Sequence, residues 1–382
     1  MKFKIPAKVF VFLLMASGMF IFLKPDDSPK FASDDYLGPC HAQVWDSNFW
    51  IDTHPFGIKV IYKLLGRDPE VIIVGQRAML SLAVAFMTVR LAAIAPVIWP
   101  VIAALCLGLG LWHPISHWTI WMLSESASIS LFLVWATLIA GRSRWSVIAA
   151  IPLALVRDSN VIFLTITVVS YRMFGLSHWS AVACGLTLVV IIGLQVAGNR
   201  GQPGVVNNTC NRVIPKGGKT TGLDAPERYV GKIYKTAGPA MTAWAEDKGF
   251  RSYLWFSISH PLKMTKLAWQ DRRAFYKPYE HDKVAVNKSC RMATQFYPVF
   301  GLFAVVFALS CAILGTYGPL CLISVCLLHS LAAWFTDWLE PSRHCLLGAV
   351  GLQVAGIWSV AIISSVCLTR LKNYISQSRR IA

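Results

Sequence analysis

Ionisable side chains set beside apolar runs are the residues of this sequence with the means to do chemistry. Ser33-Asp34-Asp35-Tyr36-Leu37 comes soon after the first apolar run, and Asp46, Asp52 and His54-Pro55 follow. A carboxylate held near a membrane face, with basic residues close by, can act as general base on a hydroxyl. The structural alternative is a set of solvated acids in an ordinary loop. Glu125 stands near the start of an apolar helix, where a carboxylate also favours the helix dipole. Arg157 ends a short apolar run and is followed by Asp158, its natural partner if it is only a structural cation. Arg343 precedes the last apolar run, where an arginine can simply anchor a helix end. His54, before Pro55, fits a turn, and Lys59 and Lys63 fit anchors at a membrane edge. Polar groups embedded in a membrane are expensive, so each embedded one is a candidate site.

The elements that must position these residues are apolar runs. The chain has 382 residues, 55% hydrophobic and only 14% charged, and its mean hydropathy is +0.53. Soluble domains carry about 25% charged residues. This is the composition of a polytopic membrane protein, which excludes a soluble enzyme, a disordered scaffold and a secreted disulfide domain. The net charge of +17 then points to basic cytoplasmic loops and to sites that attract anionic lipid, with no nucleic acid needed to account for it.

Ten runs are expected as helices: 9–23, 71–92, 94–112, 119–140, 145–156, 160–175, 180–197, 296–314, 317–335 and 346–368. The first follows Lys2, Lys4 and Lys8 and reads as a retained helix, a cleaved signal peptide being the alternative. The run 145–156 falls short of the ~20 residues a crossing needs, which suggests a broken or tilted element. The expected fold class is an all-α polytopic membrane protein with about ten transmembrane helices. Residues 1–197 form an N-terminal transmembrane module with an acidic first outer loop at 24–70. Residues 198–295 form a long, mainly helical extracytoplasmic loop, and 296–382 the last helices with a basic cytoplasmic tail.

Ten crossings put both termini in the cytoplasm, with Arg142, Arg144, Arg172 and the tail inside, as the positive-inside rule asks. A single crossing over 145–175 would flip everything after it. The long loop has 17 Lys/Arg against 7 Asp/Glu, and long translocated loops are exempt from that rule. Its best helical stretches are Ala225–Tyr234 and Leu262–Tyr276. The second mixes Leu262, Met264, Leu267, Trp269 and Phe275 with Lys263, Lys266, Arg272 and Arg273. It could lie flat at a headgroup layer or pack on the rest of the loop. Cys40, Cys210 and Cys290 would face an oxidising compartment, where one pair could bridge. No metal-ligand spacing, phosphate loop or nucleophile elbow is present.

In order and spacing the chain resembles the GT-C glycosyltransferases, polytopic enzymes that use polyprenyl-phosphate sugar donors. The bacterial protein mannosyltransferases and lipid A aminoarabinose transferases are most similar. The motifs that carry the resemblance are Asp34-Asp35-Tyr36 after the first helix and His54-Pro55 through Tyr62-Lys63-Leu64-Leu65-Gly66, with Gln76 downstream. Leu123-Ser124-Glu125-Ser126, Val156-Arg157 after a short apolar run and Pro341-Ser342-Arg343-His344 before the last helix complete the set. Three features depart from the family. Tyr36 follows the acids directly, His344 stands where a Tyr is usual, and the long loop is inserted between the seventh and eighth helices.

The resemblance implies an inverting glycosyltransferase of the bacterial inner membrane, with its active site on the extracytoplasmic side. Asp34 or Asp35 would be the catalytic base that deprotonates the acceptor, a glycan, lipid or protein. Arg157, Arg343 and Lys59 would hold the donor phosphate, because guanidinium matches phosphate bidentately. Tyr36, His54, Glu125 and His344 would line the substrate site. No metal ligand or cofactor follows from the motifs, although some members of the family use a divalent metal. The other functions considered are an O-antigen-type glycan polymerase or ligase, which needs arginines and a large outer loop but no early Asp pair, and a lipid or solute transporter.

Overall fold

The computed structural model describes residues 7–24, 43–50, 55–66, 68–120, 124–169, 177–197, 201–217, 223, 238–272, 288–336 and 345–381. Among them every regular element is helical. The principal helices are α1 (Ala7–Phe22), α2 (Phe56–Leu64), α3 (Pro69–Ala92), α4 (Trp99–Leu111) and α5 (Ser124–Ala140). They continue with α6 (Ser146–Val156), α7 (Val161–Val169), α8 (His178–Ala197), α9 (Gly201–Asn208) and α10 (Pro239–Trp244). The series ends with α11 (Phe250–Ser259), α12 (Pro261–Gln270), α13 (Lys288–Ile313), α14 (Gly318–Thr336) and α15 (Leu346–Ile381). Each of the ten expected apolar runs coincides with one of these helices.

Three of them, α3, α14 and α15, are long and apolar enough to cross a membrane. Shorter apolar helices accompany them, including α1, α5, α6 and α8. α3 is placed by its sequence. Asp68 caps it, its carboxylate accepting from the Glu70 and Val71 amides, with Pro69 at the first helical position. α3 packs against α1, α4 and α5, while α15 packs against α13, α14 and α5. The main core runs between these helices, from Leu80, Val84 and Met87 through Phe132 and Leu133 to Val350, Val354 and Ile357.

α6 does not continue into α7. It contains Pro152 and ends at Val156; Arg157 is extended, with φ −159° and ψ 135°, and a short 3-10 turn, Asp158–Asn160, leads into α7. The run 145–156 is therefore the first part of a broken element, as its length suggested. The end of α6 is also where α2 lies down. A Cβ on Gly57 would come within 2.5 Å of the Leu155 carbonyl oxygen, so only glycine permits this approach. Ile58, Tyr62, Ile72, Ala127 and Val156 close a small core around the crossing.

The bundle has two distinct ends. One gathers α2, the start of α5, the end of α6 and, through the polar contacts described below, the end of α14. The opposite end has a cleft lined by Ile94, Arg142, Thr316 and Tyr317, residues from the connections after α3, α5 and α13.

The described parts of 201–272 are mainly helical, and α12 covers most of the expected stretch from Leu262; Ala225–Tyr234 lies outside the described residues. Cys210 is buried and in no disulfide, with burial pushing its thiol up to about 11. Cys40 and the side chain of Cys290 lie outside the described residues.

The Gly57 approach gives a direct test. Gly57→Ala is expected to lower the melting temperature of the detergent-solubilised protein, with an overpacking cost of about 1–3 kcal/mol, and Gly57→Val to cost more. Gly18→Ala, where a Cβ would meet nothing within 4 Å, is expected to leave it unchanged.

Candidate functional site

The break after α6 collects charge. Arg157 Nη1 donates to Glu125 Oε1 at 2.9 Å, and both residues are buried. Arg157 thus pairs with Glu125, 32 residues away, while the carboxylate of its neighbour Asp158 accepts from Gln195. Glu125 lies in the first turn of α5, so it meets both the positive end of that helix and the guanidinium. It begins a buried polar row, Ser124, Glu125, Ser126, Ser128 and Ser130, on an otherwise apolar helix.

One turn beyond Arg157, Asn160 is fully buried and ties three elements together. Its amide nitrogen donates to Ser128 Oγ at 3.1 Å and to the Leu153 carbonyl at 2.9 Å, and its amide oxygen meets His329 Nε2 of α14 at 3.2 Å. The His329 ring stacks on Phe163 of α7. A helix that stops inside a bundle leaves carbonyls that need partners, and Asn160 supplies one to Leu153.

Lys59 projects from α2 and is buried. Its ammonium donates to the Phe49 carbonyl at 3.1 Å and sits 6.0 Å from the Phe49 ring. Its neighbour Ile58 belongs to the small core shared with Ala127 and Val156, which places α2 beside the Glu125–Arg157 pair. Gln76, also singled out in the sequence, is buried on α3.

A second polar cluster, which the sequence did not single out, fixes the long loop to the end of α14. Arg212 is fully buried in a π-helical turn, Thr209–Val213, that continues α9. Its Nε donates to Asp271 Oδ2 at 2.9 Å, and its Nη1 donates to the Trp334 carbonyl at 2.6 Å and closely to Asn208 Oδ1. The guanidinium lies 4.1 Å from the Trp334 ring, whose Nε1 donates to the same Asp271 oxygen at 3.1 Å. The Phe335 carbonyl accepts from Asn208 and from Tyr253. Burial makes the Arg212 cation costly, and the Asp271 carboxylate opposes that loss. Burial likewise pushes the Tyr253 phenol up to about 12, with the Arg212 charge pulling it back.

Cys345 links the two clusters. Burial pushes its thiol up to about 12, while Arg212 and Arg157 both pull it down, so it stands in the field of both cations. Its Sγ donates to the Ser330 carbonyl at 3.3 Å. Asp34, Asp35, Tyr36, His54, Arg343 and His344 lie outside the described residues. Of the residues expected from sequence, Lys59, Glu125 and Arg157 are therefore brought to one end of the bundle. Among the described residues no group of three or more His, Cys, Asp or Glu is placed to hold a metal ion.

Arg212 and Asp271 left little trace in the sequence. They are 59 residues apart, in a segment already crowded with lysine and arginine. The run Asn207-Asn208-Thr209-Cys210-Asn211, short polar residues leading into Arg212, is the one local sign. No protein-family model, curated protein or solved structure matches the chain.

Two outcomes follow from this geometry. Arg157→Met or Glu125→Leu alone removes the opposite charge from a buried ion and is expected to cost about 3–5 kcal/mol, whereas the double variant recovers most of it; thermal unfolding in detergent reads the cycle. At pH 8, Cys345 is expected to stay unmodified by a maleimide while exposed Cys367 reacts. A thiol pushed that far up exposes about one thiolate in ten thousand, and peptide mass mapping separates the two sites.

Proposed function

We propose that this chain is a membrane-bound inverting glycosyltransferase that moves a sugar from a polyprenyl-phosphate donor to an extracytoplasmic acceptor. The observation that supports this reading is convergence. Motifs scattered over the sequence, helix α2 of the His54–Gly66 segment, Ser124-Glu125 and Val156-Arg157, meet at one end of the bundle. Cys345, which directly follows Pro341-Ser342-Arg343-His344, lies in the field of Arg157 at the same end.

The convergence also favours the ten-crossing topology. In that arrangement the acidic first loop, the start of α5, the end of α6, the loop 198–295 and the end of α14 are all extracytoplasmic. Of these, α2, the start of α5, the end of α6, the end of α14 and Arg212 of the long loop are gathered at one end. The connections expected inside, after α3, α5 and α13, line the cleft at the other end. A bacterial inner-membrane location, with the site facing outward, belongs to this proposal.

In the proposed reaction Asp34 or Asp35 takes the proton of the acceptor hydroxyl as its oxygen attacks the anomeric carbon. The bond to the donor phosphate breaks in the same displacement and the centre inverts. The leaving phosphate requires cations fixed in a water-poor place. Arg157 is fixed by Glu125, and a guanidinium, with five donors, can serve a carboxylate and a phosphate together. Arg343 and Lys59 supply further charge; Tyr36, His54 and His344 complete the substrate site. A divalent metal, if used, would be drawn from the acidic first loop.

The competing polymerase or ligase reading draws on the same buried arginines, Arg212 included, but does not need the Asp pair. Mass spectrometry of cell-envelope glycans and lipids separates the two. Loss of one sugar mass is expected both on deletion and in the Asp34→Asn/Asp35→Asn form, with membrane insertion intact. Arg157→Lys is expected to fall at least tenfold in transfer if bidentate phosphate binding matters. A change of polymer length or attachment on deletion, with the double Asn form unaffected, overturns the proposal in favour of the polymerase or ligase.

A further inference from the structure

α11 and α12 carry a surface that the proposed reaction does not use. On their inner side Tyr253, Phe256, Met264 and Leu267 are buried in the core that includes Trp334 and Cys345. On their outer side Trp255 is 66% exposed, Leu262 85% and Trp269 68%, with Leu254 and Ile258 beside them. Large apolar side chains grouped this way on the outside of a loop mark an interaction surface.

The charge of the same stretch is one-sided. α11 and α12 themselves carry Arg251, Lys263 and Lys266 and no acid; Asp271 and Arg272 follow α12, and Glu246, Asp247 and Lys248 precede α11. The Asp271 carboxylate is taken by Arg212 and by the Trp334 indole, so it does not offset the basic face. The cations and the aromatics are interleaved: Arg272 lies 4.8 Å from the Trp269 ring, and Lys263 lies 5.2 Å from the Phe256 ring.

Position decides between a soluble partner and a lipid surface. The helix pair is bolted to the end of α14, one of the helices long enough to cross a membrane. Arg212 holds Asp271 at the end of α12 to Trp334, and Tyr253 of α11 donates to the Phe335 carbonyl. The last residues of a spanning helix lie at the headgroup layer, so whatever is fastened to them lies there too. Tryptophan, leucine and basic residues together at that depth match the interface of an anionic leaflet.

We infer that α11 and α12 lie on the surface of the bilayer that holds the chain, with Trp255, Leu262 and Trp269 dipping into the headgroup boundary and Lys263 and Lys266 binding anionic phospholipid. This surface is independent of the glycosyltransferase reading and is used whatever reaction the chain performs.

The test uses the full chain in nanodiscs of phosphatidylcholine and phosphatidylglycerol, with one lipid or the other brominated near its headgroup. The fluorescence lost in the Trp255→Phe/Trp269→Phe variant isolates these two indoles from the remaining tryptophans. Their emission is expected to be quenched by bromolipid, and several-fold more by brominated phosphatidylglycerol. Lys263→Glu with Lys266→Glu is expected to reduce that preference by at least about fivefold, with the melting temperature held because Lys266 is exposed and Lys263 half-buried. Absence of quenching, equal quenching by both lipids, or a preference that survives the charge reversal each overturns the inference.

Discussion

A helix that breaks inside an apolar bundle leaves polar backbone groups, and here a buried charged side chain, that need partners. The break at Arg157 is the constraint around which this end of the protein is built. Glu125 meets the guanidinium, Asn160 meets the Leu153 carbonyl, and Ser128 and His329 meet Asn160. Because these partners come from α5, the α6–α7 connection and α14, satisfying one break fixes the mutual placement of several helices. Removing either member of the ion pair takes from a buried charge its opposite partner, which costs far more than the pair itself contributes. A buried pair of this kind is weak evidence for stability and better evidence for position. It holds one guanidinium in one place.

The Arg212 cluster solves a different problem, that of attaching a large basic loop to a membrane helix. Carbonyls at the end of α14 are the orphan acceptors of that helix. Trp334 and Phe335 give theirs to Arg212, Asn208 and Tyr253, and Asp271 neutralises the cation while accepting from the Trp334 indole. The helix end, the π-helical turn and α11–α12 are therefore tied together. π-helical turns recur at functional sites because the extra residue redirects a side chain. Here it accompanies an arginine directed onto the face of Trp334.

Much of the architecture was legible in the sequence, and the reasons are physical. Apolar runs report helices directly, so each of the ten runs became a helix, and the short run ending at Val156 became half of a broken one. Lys59, Glu125 and Arg157 stood out because a charge beside apolar neighbours is costly wherever it lies. What the sequence could not supply was pairing. Arg157 had an acid beside it in Asp158, and proximity along the chain pointed there. The bundle turns Asp158 toward Gln195 and brings Glu125 from α5. Arg212 stayed hidden for the converse reason. In a segment with 17 basic residues, one arginine among them carries no signal, and the features that distinguish it, full burial and a stacked tryptophan 122 residues away, exist only after folding.

The two clusters matter together through what lies between them in the chain. Residues 337–344, which contain Arg343 and His344, leave from Thr336 and return at Cys345. The outgoing end is held by the hydrogen bonds to Trp334 and Phe335, and the returning end by the Cys345 thiol on the Ser330 carbonyl. Both attachment points sit on α14 and α15, which pack along one another. Under the proposed reaction Arg343 belongs to a connection whose flanking residues, Phe335 and Cys345, are both held to described elements, and rigid flanks suit a residue that has to be positioned. Arg157 held by Glu125, with Cys345 in the field of both Arg157 and Arg212, brings cations from distant parts of the sequence to one end of the bundle.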